Sequence, residues 1–550
     1  MQSVLRHHYC LEAATLGLLS HVAVFIRGEW HMRGPLLVKI YSGLIIAVLY
    51  AEYCRHDDFV AAILAAWSII ASYMTGLFVS ITVYRKYFHR LRHFPGPSAA
   101  AVSKFWHVWK CSRQENYLLL EELSSKYGPI VRTGPEELTI IDPAVFSVID
   151  GPKSPCNKAA WYDIVLPQVA LNTTRSTKDH ATRRRIWDRG FSPAALACYE
   201  ERIAEYADLL TARIEGLVRQ GGLVDGHEHA TVNVTEWFSW FAFDVMGEFA
   251  FAKSFGMLHD GKWHLKIRLL IDAMSMLGPV SPVLWLSRLM FGMRPRTSLV
   301  KDWFSMLQWC KDCMDERLQE KVEHLDVSHW LIIGAFHKGL QTSDREWLNG
   351  DAVTIVVAGS GTVAVALTFA FFELAKSPVQ QDRLYREVVD VDIRDRIQLQ
   401  KCTHLNAVIQ ETLRLYPPVP TGGYRVTPPS GVFINDTHIP GNTTVMAPRY
   451  SIARLETAYE CPNQFIPERW TTQQEKVKDK RGFSPFSQGK FGCVGKSLAM
   501  SEMRIVIALL VKKFKISFTD DDKGRSLFTG LRDRFTFAPG DLQLRFSIRG

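Results

Sequence analysis

The sequence predicts a mainly α-helical chain with small β-sheets, preceded by N-terminal transmembrane helices. Three observations carry that expectation. Helical periodicity runs through most of the 550 residues, and 47% of them are hydrophobic, enough for a sizeable core. A short β-like region is expected only at Val432–Ile434 and around Thr444–Met446, between turns rich in Pro and Gly. The first 93 residues hold apolar stretches of membrane-spanning length. There are no repeats or low-complexity tracts.

Phe59 to Tyr84 is an uncharged run of 26 residues, longer than a span requires. A second candidate, about 36–53, has Lys39 and Glu52 near its ends, where long side chains can reach the interface. The third, about 11–26, includes Glu12 and His21, so it reads as either an interfacial helix or a buried segment that does not span. Arg85, Lys86, Arg90 and Arg92 follow the strongest span directly, which places the rest of the chain on the cytosolic side. The N-x-S/T sites at Asn172, Asn233, Asn435 and Asn442 would then face away from the glycosylating compartment. Residues 1–93 are thus expected to be an anchor and 94–550 one catalytic domain.

Beyond Phe94-Pro95-Gly96-Pro97, a helix opens at His180 and carries Arg183, Arg184 and Arg185. Arg183 and Arg185 read as a solvated basic face. From Val353 to Phe372 the chain has no charge, and Thr354, Ala358 and Thr362 fall four apart, on one helical face. Gly359, Gly361 and Ala364 imitate a dinucleotide fingerprint, but the helical pattern continues to Lys376 and no second strand follows, so a nucleotide-binding unit is not expected. Glu411 and Arg414 share a helix face at i, i+3, and Pro467-Glu468-Arg469-Trp470 lies downstream.

Near the C-terminus a single cysteine, Cys493, stands between glycines 489, 492 and 495, after Phe486 and before a helical run. Glycines let the backbone bend close to a flat macrocycle. N–H groups of the loop and of the helix start near Lys496 stabilise negative charge on sulphur. The segment reads as a thiolate ligand for haem. It resembles the haem-binding signature of the cytochrome P450 monooxygenases, and the other motifs stand in that family's order across about residues 94–550.

The resemblance implies a mainly α fold with small sheets, a haem b held by Cys493 as the axial ligand of iron, and Phe486 and Gly489 framing it. It further implies a haem propionate bound by His180 and Arg184, a buried Glu411–Arg414–Arg469 network that locks the fold, and Thr362 as the catalytic hydroxyl beside oxygen. The chain departs from the family at two positions: Phe491 stands where a propionate-binding basic residue is usual, with Lys490 beside it, and Gly361 replaces the acid before Thr362.

The expected function is therefore a membrane-bound monooxygenase of secondary metabolism that inserts one atom of dioxygen into a hydrophobic small molecule: terpenoid, steroid, fatty or aromatic. The pocket would draw on 161–171, 274–284, Ala358 and 419–424, with Trp161, Tyr162 and Tyr424 available for stacking. No flavin or nicotinamide domain is expected in the chain, so electrons would come from an NADPH–cytochrome P450 reductase at the endoplasmic reticulum membrane, with lipid as a further partner. A haem-thiolate isomerase or dehydratase, or a haem sensor, remain open alternatives. Ten cysteines in a cytosolic domain should stay reduced, and Cys310 and Cys313 lack the setting of a redox pair. The net charge of +9 reflects the juxtamembrane cluster and helix faces, and no nucleic acid partner is expected.

Overall fold

Three helices form the N-terminal region of the computed structural model: α1 (Gln2–Ser20, prolonged by a π-helical turn at His21–Phe25), α2 (Gly34–Tyr53) and α3 (Phe59–Val83). The structure describes residues 2–549 apart from 222, 225–226, 276–277, 279–280, 294–297, 321–324 and 337–341. His31–Tyr53 and Phe59–Phe88 are long and apolar enough to cross a bilayer, and only 6% and 22% of their apolar windows are buried by protein. Asp344–Lys376, longer still at 33 residues and at least as apolar, is 72% buried over its apolar window, which makes it an interior helix.

The weakest predicted segment, 11–26, is the later part of a helix that starts at Gln2. It lies along α3. Arg6 donates to Leu64 O (3.0 Å) and Ser68 Oγ (3.2 Å), Tyr73 donates to Ser20 Oγ (3.0 Å), and His21 Nδ1 meets Ser80 Oγ at 2.8 Å. The paired positions rise together, so the two helices run parallel. Small residues permit the approach: a Cβ on Gly17 would lie 2.1 Å from Tyr73 O, and one on Gly76 2.0 Å from Ala14 O. Sequence hydropathy under-reads α1 because its polar groups are satisfied by the neighbouring helix.

After the hinge, Arg132 N–H donates to Pro95 O at 2.7 Å, tying Phe94–Pro97 to the first strand. That strand, Ile130–Gly134, edges a five-stranded sheet that continues through Glu137–Ile140, Thr444–Met446, Arg425–Val426 and Asn157–Lys158. The strands expected at Val432–Ile434 and Thr444–Met446 have those bounds. A second sheet pairs Phe514–Phe518, Gln543–Ile548, His227–Asn233 and Leu223–Val224 in that order.

Helices fill the rest, around one large core cluster. Its axis is the helix Thr342–Lys376, against which Val234–Phe251 packs. Gly359 allows the contact, because a Cβ there would stand 2.2 Å from Met246 Sδ. Gly359 and Gly361 therefore sit mid-helix, with no nucleotide-binding turn. Cys310 and Cys313 are free and buried in the same core, as expected of incidental cysteines.

Candidate active site

A short 3-10 turn, Gly489–Phe491, leads to Cys493, and the helix Lys496–Lys513 starts directly afterwards. Gly489 has φ +61°, and a Cβ on it would lie 2.4 Å from Asp150 O, so this position needs glycine on both counts. Cys493 N–H donates to Phe486 O at 2.8 Å, which closes the loop. The thiol presents open surface although protein surrounds it deeply. A side chain on the wall of an internal cleft has both properties. Burial pushes its pKa up, while the N–H groups of Gly495 and Lys496 and the charges of Arg184 and Lys496 pull it down. These donors aim at sulphur from a helix start, the arrangement that supports a thiolate.

Three cations and a histidine converge beside the loop on Phe491. Arg425 lies 4.6 Å from the centre of its ring, Lys490 5.0 Å and Lys158 5.3 Å, while the His180 ring meets it edge-on at 5.1 Å. Arg184 Nη1 donates to Gly492 O at 2.6 Å. Asp150 is the buried acid nearby, but Arg425 Nε (2.7 Å) and Ser487 Oγ (2.9 Å) already use it. Lys158 is buried, donates to Leu171 O at 2.8 Å, and has no carboxylate partner among the described residues. Burial, then Arg425, bring its pKa down to about 7. Burial and then Lys158, Arg184, Lys490 and Arg425 bring that of His180 down to about 4.

Arg184 pairs with Asp188 at 2.7 Å and Arg425 with Asp150, but buried Lys158 lacks a carboxylate partner among the described residues, which fits a ligand that carries carboxylates. A haem, with two propionates and an iron that takes a thiolate, suits the donors present. Lys158, His180, Arg184 and Arg425 are the residues able to hold the propionates, and Cys493 the one able to hold the iron. Phe491 thus replaces the usual basic residue with a ring that gathers cations from elsewhere. Lys158 and Arg425 escaped sequence reasoning because neither lies in a patterned segment.

On the long helix, Ala358 is exposed and Thr362 half-buried, whereas Ser360 is buried. Thr362 Oγ1 donates to Ala358 O at 2.7 Å and Ser360 Oγ to Val356 O at 2.7 Å. A Cβ on Gly361 would meet nothing within 4 Å. The missing acid is therefore not excluded by space.

Glu411, Arg414 and Arg469 have fully buried side chains. Arg414 donates to both oxygens of Glu411 (2.8 and 2.9 Å), Arg469 Nε to Oε1 (2.9 Å), Trp470 Nε1 to Oε2 (2.9 Å) and Ile466 N–H to Oε1 (3.0 Å). The arginines' remaining N–H groups reach carbonyls of residues 453–476. The network braces the segment that precedes the cysteine loop.

Two expectations need correction. Arg183 is not on a solvated face: it is buried and pairs with fully buried Asp351, which also accepts from Trp187 Nε1 and Leu171 N–H at 2.9 Å each. An acid of the long helix, distant in sequence, draws it inward, while Arg185 stays exposed. Nor are the faces of Trp161 available for stacking. Tyr424 (5.3 Å, 27°) covers one and Phe535 (4.7 Å, 11°) the other, leaving Nε1 buried without a partner. Tyr162 is buried with its hydroxyl held by Arg425 Nη1 at 3.2 Å. Of the predicted wall 274–284, residues 276–277 and 279–280 lie outside the described residues.

The Cytochrome P450 family model matches residues 95–546. The chain is 36% identical over 548 residues to cytochrome P450 monooxygenase FCK2 of Fusarium pseudograminearum, covering 97% of this chain and 96% of the relative. It is 36% identical over 538 residues to tryprostatin B 6-hydroxylase of Aspergillus fumigatus (95% and 93%), and 34% identical over 542 residues to cytochrome P450 monooxygenase notG' of Aspergillus versicolor (97% of each). With its cysteine loop, its cationic cradle and these relatives, the chain belongs to the cytochrome P450 family of haem-thiolate monooxygenases.

Proposed function

We propose that the chain hydroxylates a hydrophobic small molecule, with residues 1–93 as membrane anchor and 94–550 as catalytic domain. The observation that carries this is Cys493, framed by Gly489 and receiving N–H groups from a helix start, beside a basic cluster in which buried Lys158 lacks an acid among the described residues. When bound, haem supplies oxygen activation and the electron-rich thiolate bond favours O–O cleavage.

The chain's own residues do the rest. Lys158, His180, Arg184 and Arg425 would hold the propionates of the bound haem. Thr362 holds a transferable proton at Oγ1 on the open face of the long helix, while buried Ser360 takes no part. Hydroxylation is the reaction we assign because two relatives are named tryprostatin B 6-hydroxylase. The apolar and small residues of 161–171 and 419–424 support a terpenoid, steroid, fatty or aromatic substrate.

Electrons would come from an NADPH-dependent reductase at the endoplasmic reticulum membrane. Exposed Arg185, Arg189 and Lys496 around the cysteine loop offer an acidic partner a docking face. The decisive test is the reduced carbon monoxide complex. It should show the red-shifted Soret band of a thiolate ligand, and a Cys493→Ser variant that kept this band would sink the assignment.

A further inference from the structure

The loop between α1 and α2 does not hang free: it is fastened to the catalytic domain at the segment that carries Trp161. Arg175 Nη1 and Nη2 each donate to a Glu29 oxygen at 2.8 Å, a bidentate pair. Arg175 Nη1 also reaches Asp163 Oδ2 at 2.5 Å, and His31 Nε2 meets the same oxygen at 2.9 Å. The side chains of His31 and Asp163 are only 10% and 14% exposed, so half of this junction is shielded from water.

By distance alone Glu29, His31 and Asp163 would suit a metal ion. Arg175 argues otherwise. Its guanidinium already bonds both carboxylates, and a permanent cation there repels another.

Asp163 belongs to the 3-10 turn Ala160–Val165, next to Trp161 and Tyr162. The helix Leu284–Met293 packs against this turn, against the turn His31–Arg33 and against α2. Arg288 in that helix donates to Leu166 O. Three pieces therefore meet at one rim: the anchor loop, the Trp161 segment and the helix Leu284–Met293, which begins where the predicted pocket stretch 274–284 ends.

We propose that Glu29 and His31 are positioning residues that clasp the pocket rim through Arg175 and Asp163, so that the membrane anchor itself restrains the route by which bulky apolar molecules reach the haem. The inference rests on the reading of Cys493 as haem ligand and of residues 1–93 as anchor. A small polar ligand needs no movement of the rim, and a bulky one does.

The full chain in phospholipid nanodiscs is mixed in stopped flow with clotrimazole, a bulky apolar azole, and separately with imidazole; each reports its arrival through the Soret shift. Glu29→Gln should raise both association and dissociation rates of clotrimazole about two- to fivefold, the size expected of losing one partly exposed bidentate pair. Imidazole rates and the carbon monoxide spectrum should not change. In an Arg175→Gln background, adding Glu29→Gln should do nothing further, because its partner is already gone. Clotrimazole rates equal to wild type, a parallel change for imidazole, or an equal effect of Glu29→Gln in both backgrounds would overturn the inference alone. A wild-type protein without any azole shift would overturn the haem reading and this inference with it.

Discussion

Replacing Glu411 by Gln tests what the buried charge network does for the fold. The glutamine keeps the volume of the side chain but has one acceptor oxygen where the carboxylate has two. Oε1 takes three donors, from Arg414, Arg469 and the Ile466 N–H; Oε2 takes two, Arg414 Nε and Trp470 Nε1. In the better amide orientation the NH2 group faces Arg414 Nε and Trp470 Nε1, donor against donor. Two buried arginines also lose their only carboxylate in this network. Removing one partner of a buried ion pair costs about 3–5 kcal/mol, and orphaned buried donors about 1–3 kcal/mol each, not additively.

A total of roughly 4–6 kcal/mol is comparable with the whole stability of an ordinary domain, about 5–15 kcal/mol. At about 2.1 cal/mol/K per residue, the unfolding entropy of a domain this long converts each kcal/mol to roughly 1 °C. The variant should therefore lose about 4–6 °C in the temperature at which the thiolate Soret signal of its carbon monoxide complex collapses, and it should accumulate with less haem. Glu468→Gln is the control. Glu468 takes one partly exposed guanidinium, Arg383 (46% exposed), and a neutral donor, Gln380, that a glutamine can still satisfy, so the cost should stay at about 1 kcal/mol. Wild-type melting for Glu411→Gln, or equal losses for the two variants, would refute the assignment of Glu411 as a buried structural acid.

The two glycines of the long helix should behave oppositely: Gly359→Ala forces a Cβ towards Met246 Sδ and should destabilise by about 1–3 kcal/mol, while Gly361→Ala enters open space and should gain up to about 1 kcal/mol of helix propensity, both read by thermal unfolding. Thr362→Ala should still bind haem yet release peroxide from NADPH in place of product, since general acid delivery contributes about 10²–10⁴-fold; unchanged coupling would make Thr362 a packing residue. Gly361→Asp in that background should recover part of the coupling, measured as product formed per NADPH, if an acid at this helix turn can deliver the proton. Protease added outside intact microsomes should digest the catalytic domain, and an endoglycosidase-sensitive mass shift mapped to Asn172, Asn233, Asn435 or Asn442 would reverse the orientation.

Features written in contiguous residues were legible from the sequence by itself. The glycine-framed loop of Cys493 is recognisable because its residues stand within a few positions, and α2 and α3 because a run apolar and long enough to cross a bilayer is contiguous. Helical spacing put Glu411 and Arg414 on one face, but their burial and the part of Arg469 came from the family resemblance, and the structure shows all three side chains fully buried and joined. Tertiary structure alone decided the groups that meet across loops. Lys158 and Arg425 converge on Phe491, Phe535 closes over Trp161, Asp351 draws Arg183 inward, and Arg175 takes hold of Glu29. None of these partners lies at a periodic distance. Each pairing depends on where a turn or short strand happens to end, and only packing of the whole chain sets that position.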